Sequence, residues 1–122
     1  FKHSPCQHRR LHDLGMNICL GTDSLASNEG LNLFDEMRAV QNGETWMSPE
    51  EVLKTVTVNA ARALDREDCI GKIAPGACAD MIAIPFQNDI ERVYENIVQY
   101  RQPIGWMMMD GRITEGHPVA KN

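Results

Sequence analysis

A carboxylate at the end of a short apolar run, Asp23, is the residue of this sequence best suited to chemistry. The run at 17–23 has an apolar middle bounded by glycines, so we predict a strand that is buried on both faces and ends at Asp23. Side chains at the carboxyl ends of parallel strands often meet in active sites. A carboxylate there can bind a divalent metal ion and exchange a proton with the metal-bound water, whose pKa falls to roughly 7. The plainer interpretation is an aspartate that caps the following loop.

The polar loop that follows Asp23 contains residues able to contact a substrate. Ser24, Ser27 and Asn28 lie in a run of small and polar residues, and such loops often carry the binding residues of a rigid scaffold. Helix N-capping is the alternative use of serine and asparagine, and for Asn28 it has at least as much support. Thr22 is predicted to hydrogen-bond Asp23 through its hydroxyl group and so to orient the carboxylate.

Two histidines four residues apart, His8 and His12, have the spacing of a zinc-binding pair on a helix. The zinc-binding pattern places an acidic residue after the first histidine, whereas this sequence has Arg9 and Arg10, which would repel a cation. We therefore predict that the two histidines lie on a solvated helix face.

The overall composition is that of an ordinary globular protein: 122 residues, 43% of them hydrophobic, with 12 Lys and Arg against 17 Asp and Glu. The net charge of −5 and the lack of a basic cluster argue against nucleic-acid binding. The apolar runs fall well short of the roughly 18 residues that cross a bilayer. We expect neither a nucleic-acid partner nor a membrane partner.

The cysteines form no close pair, so the zinc sites of fingers and ribbons are excluded; they are Cys6, Cys19, Cys69 and Cys78. Because the sequence starts with no export signal, we predict reduced, buried thiols and a cytoplasmic protein. The first residue is Phe1 rather than an initiator methionine, and we interpret the chain as a fragment.

Three helices are predicted in the first half of the chain. The earliest spans 6–14 and ends at Gly15 in a left-handed cap. Apolar residues at helical spacing predict a second helix that begins near Leu33 and stops at 42–43. The third spans 48–64, and it begins with an N-cap serine, a proline at the first helical position and a capping-box glutamate.

Short strands joined by tight turns are predicted in the second half. Strands over 69–73 and 79–84 are separated by the turn-forming pair Pro75-Gly76. A helix is expected over 89–98, where apolar residues recur at helical spacing. An Asp-Gly pair then predicts a hairpin over 104–115.

The chain therefore divides near residue 66 into a helical part with one strand and a part made mostly of strands. A single strand flanked by helices normally belongs to a parallel sheet, because its backbone groups need neighbouring strands. We expect another chain, or a region that precedes this one, to supply those neighbours.

Five blocks of the sequence resemble the amidohydrolase superfamily, in its metal-dependent deaminase and chlorohydrolase branch. The first block, LGTDSLASN, is also similar to the aminofutalosine-deaminase-like group, and a later block, GKIAPGACAD, fits the pattern G-x-I-x-P-G-x-x-A-D. The blocks follow the family's order and cover nearly the whole chain. They lie at 20–28, 34–38, 48–64, 71–81 and 110–112.

This resemblance implies an α/β fold: the C-terminal fragment of a TIM-like (β/α)8 barrel, with its last strand and helices in 1–66, and part of a small β-sandwich domain in 67–122. It implies that Asp23 binds a divalent metal, expected to be zinc, and is the catalytic proton shuttle. The substrate-binding residues that it implies are Ser24, Ser27 and Asn28. The family's other metal-binding histidines are absent from this sequence, so we expect the fragment alone to be inactive.

The activity that follows from the resemblance is hydrolysis of a non-peptide C–N bond, namely deamination of a heterocyclic or amine-bearing small molecule by metal-bound hydroxide. A ring-opening or dechlorinating hydrolase of the same superfamily is an alternative. Another is a non-catalytic piece that self-associates, since the strand at 17–23 and a half-sandwich leave edges to cover. The expected partners are a small-molecule substrate and either further copies of the chain, as a homo-oligomer, or the remainder of the barrel.

Overall fold

The structure is a computed structural model, and it describes residues 7–25, 30–87 and 89–115. The elements of these residues are helices α1 (His8–Asp13), α2 (Leu33–Gly43), α3 (Pro49–Val56) and α4 (Val58–Ala63), strand β1 (Met81–Ala83), a 3₁₀ helix (Ile90–Arg92), helix α5 (Val93–Val98), and strands β2 (Trp106–Met109) and β3 (Arg112–Glu115). None of the helices in these ranges has the length and apolar character needed to cross a membrane. The fold is mixed helix and strand, as predicted.

The core lies where α2, α3 and α5 pack together. Its buried cluster consists of Met37, Met47, Val52 and Val98. Two of these side chains, Val52 and Val98, are 0% exposed, because the apolar stripe of each helix faces the other two. Arg38 is buried beside them, where it donates to the carbonyl of Tyr100 and pairs with Asp35. A buried guanidinium is tolerated here because both partners satisfy its charge and its N–H groups.

Helix α3 begins as the sequence predicts. The Ser48 hydroxyl accepts a hydrogen bond from the backbone N–H of Glu51, and the Glu51 carboxylate accepts one from the backbone N–H of Ser48, 2.7 Å away. Pro49 occupies the first helical position, where its missing N–H costs nothing. The predicted capping box is confirmed. The predicted second helix is likewise confirmed as α2, and the first as α1 over the residues that the structure describes.

The single helix predicted over 48–64 is broken at Thr57, which corrects that prediction. Thr57 has φ −120° and ψ −99°, outside the helical region, and its hydroxyl donates to the Leu53 carbonyl at 2.9 Å. A loop distant in sequence packs on the break, since a Cβ atom added to Gly71 would lie 2.8 Å from the Thr57 carbonyl oxygen. The break accommodates that loop, and no local sequence pattern shows it.

The segment at 17–23 is extended but forms no strand within the described part of the chain, which corrects the predicted strand. It is not buried on both faces either, because Cys19 is exposed. Hydrogen bonds to α3 and α4 hold it: Leu20 N–H to the Thr55 carbonyl, Asn59 Nδ2 to the Ile18 carbonyl, and Asn17 Nδ2 to the Asn59 carbonyl. The physical reason is that a strand needs backbone partners on neighbouring strands, and the described residues place none beside it.

The three strands form one antiparallel sheet in the order β1-β2-β3. Met81 pairs with Met108, and Met108 pairs with Ile113 on the other side. Asp110 and Gly111, with φ of 48° and 72°, make the two-residue turn between β2 and β3, and the predicted hairpin is confirmed. The described residues contain no second sheet packed on this one, so the sandwich stays a prediction.

The strand predicted over 69–73 is wrong, because that segment consists of turns. Gly71 has φ +80°, which a regular strand does not allow. The turn predicted at Pro75-Gly76 is confirmed: Ala77 N–H donates to the Ala74 carbonyl at 3.1 Å, and Gly76 takes the positive φ of a type II turn. The strand predicted over 79–84 is shorter than expected, as β1, and the helix predicted near 89–98 is present.

Candidate functional site

Asp23 lies at the end of the extended segment and is exposed on the described part of the chain. Its φ of 55° is left-handed, a conformation that aspartate adopts more readily than most residues other than glycine. The chain therefore changes direction at the residue that the sequence singles out. Ser24, which follows, is also exposed, and Thr22 is half-buried. The other two predicted substrate-binding residues, Ser27 and Asn28, lie outside the described residues.

A groove of about 370 Å³ runs beside the extended segment that leads to Asp23. Its walls are mainly apolar and come from the segment itself, from α2 and from the turn before α3; they include Ile18, Leu20, Val40 and Met47. Polar side chains also line it, among them His8 and Glu44. An apolar groove beside a segment that no neighbouring strand covers in the described part of the chain is suited to the packing of further chain.

The polar side of the groove is a small hydrogen-bonded network. His8 Nδ1 lies 2.6 Å from one carboxylate oxygen of Glu44, and Trp46 Nε1 donates to the other oxygen at 2.7 Å. These contacts lower the pKa of Glu44, the bond to His8 contributing most and the bond to Trp46 next. The network joins α1 to the end of α2. Because both side chains are partly exposed to solvent, the contribution of the pair to stability is small.

The exposure predicted for the histidines of α1 is confirmed, but His8 also has a partner that the sequence did not reveal. The partners His8 and Glu44 are 36 residues apart, so no local spacing pattern could have paired them. His12 packs against Trp46, with the ring centroids 5.1 Å apart. Neither histidine joins Asp23 in a cluster of metal ligands.

The metal site predicted at Asp23 would need further ligands. Within the described ranges no three His, Cys, Asp or Glu side chains come together in a way that could hold a metal ion. The described residues therefore do not form a complete metal site, and Asp23 could supply one ligand of one. The roles predicted for Asp23, Ser24, Ser27 and Asn28 stay predictions.

A sequence model of the amidohydrolase family matches residues 5–113. The match covers most of the chain and includes Asp23 and all of the described elements up to β3. This chain belongs to the amidohydrolase family. The predicted family is thereby confirmed.

Relatives of this amidohydrolase chain are named as deaminases. A 5-methylthioadenosine/S-adenosylhomocysteine deaminase of Saccharophagus degradans is 36% identical over 90 residues, which cover 68% of this chain and 20% of that protein. A 5'-deoxyadenosine deaminase of Methanoregula boonei is 35% identical over 107 residues, which cover 79% of this chain and 24% of that protein. The amidohydrolase chain thus spans between a fifth and a quarter of the length of these relatives.

A solved crystal structure of an amidohydrolase also resembles this chain. The two superpose with a TM-score of 0.51 at 27% sequence identity, over 69% of this chain and 19% of that one. The similarity in structure agrees with the family match in sequence and is likewise limited to a small part of a larger protein.

Proposed function

We propose that this amidohydrolase chain is the C-terminal part of a hydrolytic deaminase that acts on the amine-bearing ring of an adenosine-type nucleoside. One observation carries the proposal: relatives named for deamination of 5-methylthioadenosine, S-adenosylhomocysteine and 5'-deoxyadenosine align with most of the chain. The same names favour deamination over ring opening or dechlorination, which the sequence left open.

In this proposal Asp23 moves the protons of the reaction. Water adds its oxygen to the ring carbon that carries the amine, the C–N bond breaks, and ammonia leaves. The Asp23 carboxylate accepts a proton from the attacking water and delivers it to the departing nitrogen, which is the work of a general base followed by a general acid. The exposure of Asp23 at a sharp turn supports this role, since a carboxylate open at the end of an extended segment is accessible to a substrate.

The loop after Asp23 belongs to the same proposal. Ser24, Ser27 and Asn28 would contact the substrate through their polar side chains, and Ser24 is exposed as this requires. Binding of a divalent metal by Asp23, and zinc as that metal, remain predictions, because the other ligands would come from outside the described residues. A cytoplasmic location also remains a prediction.

The extended segment at 17–23 would be the last strand of a barrel in the complete enzyme. The groove beside it supports this, and so do the hydrogen bonds that the side-chain amides of Asn17 and Asn59 make there, because a strand separated from its sheet would leave such a groove and bind such groups. Residues 67–115 with their three-stranded sheet would then belong to the sandwich domain. The partner that covers the groove would be the remainder of the barrel rather than a second copy of the chain.

The test compares two aspartates in the full-length protein that contains this chain. Asp23→Asn removes the carboxylate and keeps a residue that tolerates a left-handed backbone, and Asp65→Asn is the matched control because Asp65 is also exposed and also has φ of 55°. Ammonia release from 5'-deoxyadenosine and 5-methylthioadenosine is measured, with circular dichroism to establish folding. We expect Asp23→Asn to lower kcat by a factor of about 100 or more and Asp65→Asn to leave it unchanged.

Two results would contradict the proposal in different ways. Unchanged turnover by a folded Asp23→Asn protein would remove Asp23 from the chemistry. Failure of the wild-type protein to release ammonia from either nucleoside would reject the substrate class, whatever the variant does.

A further inference from the structure

Two cysteines that no spacing pattern in the sequence pairs are brought together after α4. The Sγ atoms of Cys69 and Cys78 lie 3.0 Å apart, and both residues are half-buried rather than sealed in the core. Arg66 donates from Nη2 toward the Cys69 sulfur at 3.6 Å. The group is therefore a dithiol with an adjacent positive charge, accessible to small molecules.

The backbone holds the two thiols in this arrangement. Cys69 and Ile70 donate their N–H groups to the Arg66 carbonyl, which fixes Cys69 and Arg66 in one turn. Cys78 N–H donates to the Cys69 carbonyl at 2.7 Å, which closes the loop 69–78 at its base. The juxtaposition of the sulfur atoms thus follows from a folded loop and not from two mobile side chains that happen to meet.

A second contact keeps the loop against the helices. Gly71 packs so closely on the break between α3 and α4 that an added Cβ would lie 2.9 Å from the Ala61 Cβ atom, besides its clash with the Thr57 carbonyl. Beyond Cys78 the chain enters the sheet, where Gly111 N–H donates to the Ala79 carbonyl at 3.2 Å. The two cysteines therefore stand at the junction between the helices and the sheet.

The charges around the pair distinguish the two sulfurs. The pKa of Cys69 is lowered, first by the hydrogen bond from Cys78 and then by the one from Arg66. The pKa of Cys78 is raised, chiefly by its bond to Cys69, and the negative charge of Asp80 acts in the same direction. Cys69 is therefore the sulfur that ionises more readily, and a thiolate is the form that attacks disulfides.

We propose that Cys69 and Cys78 form a redox-active dithiol, in which Cys69 attacks a low-molecular-weight disulfide and Cys78 closes the intramolecular disulfide bond. The nearness of the sulfurs, the closed loop and the guanidinium beside one of them carry this inference. It does not depend on the proposed deaminase function.

The exchange has two balanced steps. In the first, the Cys69 thiolate attacks one sulfur of the small disulfide R–S–S–R, so that a Cys69–S–S–R bond forms, the S–S bond of the reagent breaks, and RS⁻ leaves. In the second, Cys78 loses its proton to water and attacks the Cys69 sulfur, which releases a second RS⁻. The protein dithiol is oxidised by two electrons, the reagent is reduced to two thiols, and a covalent bond then ties the end of the helical part to the start of the sheet.

The first experiment uses oxidised glutathione on the full-length, folded wild-type protein. Remaining thiols are blocked with iodoacetamide, the protein is digested, and the peptides are identified by mass spectrometry. We expect a cross-link between Cys69 and Cys78, with no glutathione adduct that persists on either of them. An adduct that persists on Cys69, with no cross-link, would overturn the proposal.

Single substitutions separate the roles of the two sulfurs. Cys78→Ser removes the resolving thiol, so a glutathione adduct should accumulate on Cys69. Cys69→Ser should react at Cys78 on the order of tenfold more slowly, because the Arg66 guanidinium hydrogen-bonds the Cys69 sulfur and acts on Cys78 only through its charge. Cys19→Ser is the matched control and should form the cross-link at the wild-type rate. Equal adduct rates at Cys69 and Cys78 in the two variants would contradict the assignment of Cys69 as the attacking sulfur.

A measurement on the wild-type protein keeps the test decisive if a variant does not fold. Alkylation by limiting iodoacetamide across a pH series should modify Cys69 before Cys78. In Arg66→Gln the rate at Cys69 should fall about threefold near neutral pH, and its pH profile should move to higher pH, since the positive charge that favours the thiolate is gone. Modification of Cys78 before Cys69 in the wild-type protein would reject the proposed direction of attack.

Discussion

Helix α3 and the extended segment at 17–23 touch each other but are held in different ways. Helix α3 forms hydrogen bonds between residues close together in its own sequence and closes its first turn with Ser48 and Glu51. The extended segment is held to the helices by a backbone hydrogen bond from Leu20 to α3 and by the side-chain amides of Asn17 and Asn59. The difference shows that a helix is completed by residues three or four positions away, whereas a strand depends on partners that are far away in sequence.

The two regions should differ most in how much the truncation of one side chain lowers the free energy of unfolding. Val52 of α3 is 0% exposed, so Val52→Ala should lower the free energy of unfolding by about 2 to 3 kcal/mol, the sum of lost burial and the cavity left behind. In this chain without the rest of the proposed barrel, Cys19→Ala in the extended segment should change it by less than about 0.5 kcal/mol, because Cys19 is exposed there. Urea unfolding followed by circular dichroism measures both. A larger loss for Cys19→Ala would mean that the segment is buried by something outside the described residues.

A smaller difference in stability is expected between substitutions of two glycines that have nearly the same backbone conformation. Gly71 and Gly76 have φ of +80° and +86°, but an added Cβ would meet the Thr57 carbonyl oxygen at 2.8 Å in the first case and nothing within 4 Å in the second. Gly76→Ala should therefore cost about 1 kcal/mol, for the left-handed conformation alone. Gly71→Ala should cost about 1 to 2 kcal/mol more, because backbone must also move. Equal melting temperatures for the two variants would show that the loop 69–78 can move away from Thr57 without a loss of stability.

The smallest effect on stability is expected when the pH falls and Glu51, in the cap of α3, becomes protonated. The pKa of Glu51 is lowered from its usual 4.5, first by the backbone N–H of Ser48 and then by the Ser48 hydroxyl. A lowered folded-state pKa gives stability that is present above the usual value and lost as the pH falls through the folded value. The wild-type protein should lose slightly more stability between about pH 5 and pH 3 than Glu51→Gln does.

The control for that measurement is Glu50→Gln, in the same helical turn. Glu50 pairs with Lys54 on the surface and takes no part in the capping box. This variant should show the wild-type pH dependence below about pH 5, to within the small contribution of an exposed ion pair. If Glu50→Gln and Glu51→Gln flatten the pH dependence equally, the cap has no special role in it.

The elements that could be predicted are those whose interactions lie close together in the sequence. The capping box at Ser48, the turn at Pro75-Gly76 and the hairpin turn at Asp110-Gly111 all appear as predicted. Each depends on hydrogen bonds or backbone angles within a few residues, so the residue types suffice to indicate them.

The features that were missed depend on residues distant in sequence. The break at Thr57 accompanies the packing of Gly71, and the partner of His8 is 36 residues away. The cysteines at 69 and 78 meet because the segment predicted as a strand is folded into turns. No spacing rule for metal sites or disulfides covers these contacts.

The candidate site also has some features that the sequence predicts and others that only the tertiary structure shows. The sequence alone pointed to the family through its ordered motifs, and it singled out Asp23 by its place at the end of an apolar run. Only the tertiary structure decided that this run is an extended, partly exposed segment beside a groove, and that Arg66, Cys69 and Cys78 form a cluster. The physical reason is the range of the interactions: capping, turn geometry and residue type act over a few bonds, whereas burial, strand pairing and the meeting of side chains require the whole chain to be placed.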